Sequence, residues 1–179
     1  TQRSTLFPYT TLFRSYLCDT NLFAWIALRM ISDTLSHGLS APSAYAILVL
    51  GVLMAGVLGR YTYVQVLADA AEAIHRRFPD PFLTARLDFG IASYLRCWVR
   101  PFAEVTDALA RCYALGVQNG DLLYASFSTG NRVSAMLADS ADLEGIGRYA
   151  GSIGEFVERA QGIDGKALIT SMVELVHTL

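Results

Sequence analysis

The chain has 179 residues, 53% hydrophobic and 17% charged, with a formal net charge of −2 at pH 7. That length can bury one sizeable core, and the mild acidity, with no basic stripe to neutralise phosphates, argues against a nucleic-acid partner. Cys18, Cys97 and Cys112 show no CxxC spacing, which fits buried thiols in a reducing compartment better than a disulfide frame or a zinc site.

Residues 3–15, RSTLFPYTTLFRS, resemble the conceptual translation of a common short-read sequencing adapter. Residues 1–15 are therefore expected to be a foreign tail, disordered or extended, and residues 16–179 the natural sequence. That remainder has no initiator Met and stops inside a helical pattern, so a fragment of a longer protein is expected.

The spacing then predicts helices throughout. Residues 19–37 carry Leu22, Trp25, Ile26, Ile31 and Leu35 as the inner stripe, with Asp19 or Thr20 to cap the start and Gly38 the end. This half-hairpin, 19–38, reads as the second helix of a pair that begins upstream. Pro42 opens a hairpin over 42–78. Its first helix, 43–58, has no charge and is apolar almost all round, which requires burial on most sides. Gly51, Ala55 and Gly59 recur four apart and offer a face for close backbone approach. After a turn at Gly59-Arg60, a second helix buries Val64, Leu67, Ala71 and Ile74 and turns Asp69, Glu72, Arg76 and Arg77 to water.

Pro79 and Pro81 break the chain and open a second hairpin, 81–119. Its first helix, 82–99, repeats Leu83, Leu87, Ile91, Tyr94, Leu95 and Trp98 at helical spacing, and Arg86 falls outside that stripe. Leu53 and Leu87, mid-helix in successive hairpins, are expected in the core, and Arg86 is expected to matter little to stability. The second helix buries Phe102, Val105, Leu109, Cys112 and Gly116, with Glu104, Asp107 and Arg111 outside. Asn119-Gly120 offers a left-handed terminus. A third hairpin, 120–160, pairs a helix capped by Asp121 (Leu123, Tyr124, Phe127, Val133, Leu137) with one carrying Leu143, Ile146, Tyr149, Ile153, Phe156 and Val157. Four glycines in the latter, Gly145, Gly147, Gly151 and Gly154, each cost about 1 kcal/mol against Ala, so it should fray first. A loop, 161–165, leads to a closing half-hairpin, 166–179.

No stretch alternates with period two. Pro42, Pro81 and Gly120 stand at equal intervals of 39 residues (81 − 42 and 120 − 81), close to the period of tetratricopeptide and HEAT-like arrays. The expected fold is all-α, an α-solenoid of antiparallel helical hairpins.

The runs HGLSAPSAYAILVLGVLMAGVLGRY, RF…AR…W-VRPF and Gly116…Asn119-Gly120-Asp121-Leu122…Tyr124-Ala125 together resemble one family. It is the tetratricopeptide-like helical-repeat segment of large bacterial signalling proteins. Those proteins carry a serine/threonine-kinase-like domain, an AAA/STAND-type ATPase, this array, a GAF domain and a sensor histidine kinase. The resemblance covers roughly residues 19–179 and implies a cytoplasmic, non-catalytic segment. Its partners would be the ATPase and the GAF and histidine-kinase domains of the same chain, with a protein or peptide ligand on the concave face. No family active-site residue maps onto it.

The residues themselves assemble no chemistry, so no catalytic, cofactor or metal residue is expected. Gly165-Lys166 is followed by Ala167, which fails the phosphate-loop pattern. His37, His75 and His177 lack a second ligand at i+3 or i+4; His37 reads as a helix-end residue and His75 as part of a solvated face with Arg76 and Arg77. Asp139, Asp142 and Glu144 cluster at a turn, where Asp142 is expected to cap a helix. Trp98 between Arg96 and Arg100 could stack on a ligand, but packing at a helix corner is the favoured expectation.

The alternative is a membrane-anchored sensor fragment with a transmembrane helix at 39–59, uncharged and with small residues four apart. Ser40, Pro42 and Ser43 polarise its start, however. The apolar remainder, 44–58, spans about 22 Å against a hydrocarbon core of about 30 Å, so the membrane reading is the weaker.

Overall fold

The computed structural model describes residues 18–139 and 142–159, together with Ser15, Thr170, Glu174 and Thr178. Seven α-helices occur among the described residues, and no strand. The expected loop at 161–165 and the closing half-hairpin lie almost entirely outside them, as do residues 1–14 of the tail expected at 1–15. Ser15, assigned to that tail, is helical and buried and accepts the Asp19 N–H at 2.8 Å. The chain divides into two compact units, Thr1–Phe78 and Pro79–Leu179.

In the first unit, α1 (Thr20–His37) starts where the Asp19 carboxylate accepts the N–H groups of Asn21 and Leu22 at 3.1 and 3.0 Å, satisfying two donors a helix start leaves open. It ends at Gly38, φ +88°, whose N–H reaches Thr34 O. Both caps agree with the sequence expectation, but the buried face does not. Phe23 and Ala27 are buried, whereas Trp25 is 64% exposed and Leu35 81%. An apolar residue on each side of the helix let the periodicity fit either stripe. Cys18 is exposed, contrary to its expected burial.

Helix α2 (Ala41–Val52) is buried on most sides, from Ser43 through Val49 apart from Ile47. Its first turn closes by Ser40 N–H donating to Ser43 Oγ at 3.0 Å. The predicted helix to residue 58 is not one regular element. It continues as a π-helix over Leu53–Val57, then passes Gly59 (φ +61°) into a 3-10 turn, Tyr61–Tyr63. Leu53 and Ala55 remain buried. Helix α3 (Val64–Arg77) buries Val64, Ala68 and Ala71, with Leu67 and Ile74 half-buried. Helix α2 packs against both α1 and α3, as its uncharged surface requires. No described helix is long and apolar enough to cross a membrane.

The second unit begins at α4 (Pro81–Gly90), with Pro81 in its first turn and the Asp80 carboxylate accepting Phe82 N–H at 2.9 Å. Here too the α-helix passes into a π-helix, Ile91–Leu95, and a 3-10 turn, Arg96–Trp98. Leu83, Leu87, Ile91 and Leu95 are all buried, to 0–5% exposure, and each contributes about 1.5–3 kcal/mol of transfer free energy. Trp98 is 53% exposed, so it is not the buried corner residue expected of it.

Helix α5 (Phe102–Gln118) buries Val105, Leu109, Cys112 and Gly116 as expected, while Phe102, placed on the same face, is half-buried. Gly120, φ +72°, closes it: its N–H bonds Val117 O at 3.2 Å and the Asp121 N–H bonds Gly116 O at 2.8 Å, the 5→2 and 6→1 pair of a glycine helix stop. Helix α6 (Leu122–Ala138) is enclosed from Ala125 to Gly130 and packs on α4, α5 and α7 (Leu143–Arg159). Its buried hydroxyls turn back on their own helix: Ser128 Oγ donates to Tyr124 O and Thr129 Oγ1 to Ser126 O, both at 2.7 Å. That satisfies them without a partner element. Val133, Ile146 and Ile153 form the core toward α7, while Leu123 and Leu143, placed on inner faces by the sequence, are exposed. Asp142 caps α7 as expected, accepting Glu144 and Gly145 N–H groups at 3.2 and 3.1 Å.

Candidate functional site

The irregular segment Ile91–Trp98 separates two concavities of the second unit. Side chains four apart lie near one another on a helical segment. Ala92, Arg96 and Arg100 come to one side; Ser93 and Cys97 come to the other.

On the first side, Arg96 and Arg100 face Glu104, Asp107 and Arg111 of α5 across a groove of about 330 Å³ floored by Ala92, Val105 and Ala108. Three guanidinium groups and two carboxylates line it. Guanidinium groups bind carboxylates through paired N–H donors, and Glu104 and Asp107 stand in the same groove as the three arginines. Sequence reasoning singled out Arg96 and Arg100 and placed Glu104, Asp107 and Arg111 outside, but nothing in the spacing joined the two sets.

The second concavity, of about 280 Å³, is walled by Phe102, Val105 and Leu109 of α5 and by Asn131, Ser134, Ala135 and Ala138 of α6. Cys97 donates its thiol hydrogen to Ser93 O at 3.0 Å. Burial pushes the Cys97 thiol up to about 11 and Cys112 up to about 12, so both stay protonated at neutral pH and neither is a ready nucleophile. Asn131 Nδ2 donates to Phe127 O at 2.9 Å and Ser134 Oγ to Gly130 O at 3.3 Å. The sequence signal for this pocket is faint: polar residues at 93 and 97, and at 131 and 134, within otherwise apolar helices.

The remaining candidates stay apart. His37 is exposed, its Nδ1 3.0 Å from Asp33 O. His75 is half-buried rather than on the solvated face expected of it. His177 and the Gly165-Lys166 pair lie outside the described residues. Glu144 and Asp142 pair with Arg148 at 2.7 and 3.8 Å, all three well exposed. No group of three His, Cys, Asp or Glu side chains among the described residues could hold a metal ion.

No family model, curated protein or solved structure matches this chain.

Proposed function

We propose that residues 16–179 are a non-catalytic, tetratricopeptide-like α-solenoid segment of a cytoplasmic signalling protein, coupling an ATPase module to GAF and histidine-kinase output domains of the same chain. One observation carries this reading. Two successive hairpins share the same order of elements, a first α-helix with proline in its first turn, a five-residue π-helix, a 3-10 turn and a second α-helix, with the three-residue break before the 3-10 turn in one (58–60) and after it in the other (99–101). A repeated plain helix says little, but a repeated interruption is difficult to reach without a repeated unit. The seating of α6 on both helices of the hairpin before it supports the same view, since hairpins in such arrays bury their faces against their neighbours. A protein or peptide partner would be met by the groove in which Arg96, Arg100 and Arg111 stand beside Glu104 and Asp107.

The test is genetic context followed by coupling. A phosphate-loop ATPase encoded before residue 16 and a histidine-kinase core after residue 179 support the proposal; absence of both sinks it. In the full-length protein, deleting residues 81–138 should leave ATP hydrolysis intact while removing its effect on histidine phosphorylation. The membrane-anchored alternative has less support, because no described helix, including the one within 39–59, is long and apolar enough to cross a membrane.

A further inference from the structure

We propose that the pocket between the π segment, α5 and α6 binds a neutral, compact ligand with a ring-sized apolar body and one hydrogen-bond donor, of the class of indole or phenol. The size is right for it. This half-open concavity of about 280 Å³ approaches the lower end of natural ligand pockets, about 300 Å³. Phe102, Val105 and Leu109 supply the apolar wall.

Charge decides the ligand class. Neither a cationic nor an anionic side chain lines this pocket, unlike the neighbouring groove, so an ion entering it would lose hydration without gaining a counter-charge. The donor requirement comes from Asn131. Its Nδ2 is committed to Phe127 O, and the flipped amide would set two acceptor oxygens against each other. The Asn131 carbonyl oxygen is thereby left as the acceptor that a ligand O–H or N–H can engage. The Cys97 thiol, protonated and committed to Ser93 O, adds polarisable neutral surface.

The test is methyl-resolved NMR on the whole chain, titrated with indole, phenol, benzene and benzoate. Indole or phenol should give saturable shifts at the Val105 and Leu109 methyls, with benzoate at least tenfold weaker. Ala138→Phe, made at an exposed lining position, should fill the mouth and abolish the shifts. Asn131→Ala should weaken indole at least fivefold while leaving benzene binding in place, which separates loss of the acceptor from loss of the pocket. Absence of saturable shifts with both donors, benzoate binding as tightly as indole, or indole binding indifferent to Ala138→Phe would each overturn the proposal.

Discussion

Arg86 of α4 donates from Nε to the Asp121 carboxylate at 2.7 Å, joining the first helix of one hairpin to the cap of the next. The guanidinium also lies over the Tyr124 ring, 5.2 Å from its centroid. Both partners are largely buried, at 26% and 16% side-chain exposure. The sequence made Arg86 a bystander because it falls outside the apolar stripe; the structure makes it the polar tie between two hairpins.

Arg86→Ala should therefore cost about 1.5–3 kcal/mol, the range for a hydrogen bond to a charged group, instead of the fraction expected at an exposed site. Arg86→Lys keeps the charge but loses the planar stack on Tyr124, and should fall between. Chemical denaturation of the three proteins decides this. Equal stability of Arg86→Ala and the parent would show that the ion pair contributes nothing.

Leu87, one residue on, is 1% exposed. Leu87→Ala should cost about 2–5 kcal/mol, whereas Trp98→Ala, at a residue 53% exposed, should change stability by less than about 1 kcal/mol. Thermal melts that reversed this order would move the buried face of α4.

Gly116 marks the crossing of α5 and α6. A Cβ there would meet the Ala125 Cβ and backbone N at 3.0 Å and its Cα at 3.1 Å. Backbone cannot step aside as a flexible side chain can, so Gly116→Ala should destabilise by about 1–3 kcal/mol despite the helix propensity it gains. Gly151→Ala in α7 has nothing within 4 Å and should stabilise by about 0.5–1 kcal/mol. Opposite signs in one denaturation series are the expected result.

The buried thiols make stability fall in alkali. Cys97 and Cys112 rise from about 9.0 to about 11 and about 12 because burial disfavours their thiolates. Below pH 9 both states hold the protons and these groups add no pH dependence. Above it the unfolded chain releases them first, so stability should drop between pH 9 and 11, by at most about 1.4 kcal/mol per pH unit for each thiol. Cys112→Ala should flatten that slope in denaturation midpoints followed from pH 7 to 10.5. An unchanged slope would assign the effect to other groups.

Much of the fold was legible because it is written in local chemistry. The prolines at 42 and 81, the Asp19 and Asp142 caps and the Asn119-Gly120 stop act within a few residues of themselves, and the structure uses each of them at an element boundary. The stripes of α3 and α5 were legible as well, since each helix has one apolar face and one charged face.

Only tertiary structure decided the rest. Helix α1 has apolar residues on two sides, so its period could not choose between Phe23 and Trp25; contact with α2 chose Phe23. The helix through Trp98 leaves α geometry at Ile91, directly after Gly90, which is itself helical and buried, and Trp98 ends 53% exposed. Helix α6 is enclosed although Ser126, Ser128 and Thr129 interrupt its apolar pattern, because back-bonding to its own carbonyls makes those hydroxyls acceptable in a core. Caps, breaks and one-sided stripes depend on neighbours in sequence and were determined there; two-sided faces and both concavities depend on partners tens of residues away, and packing alone selected them.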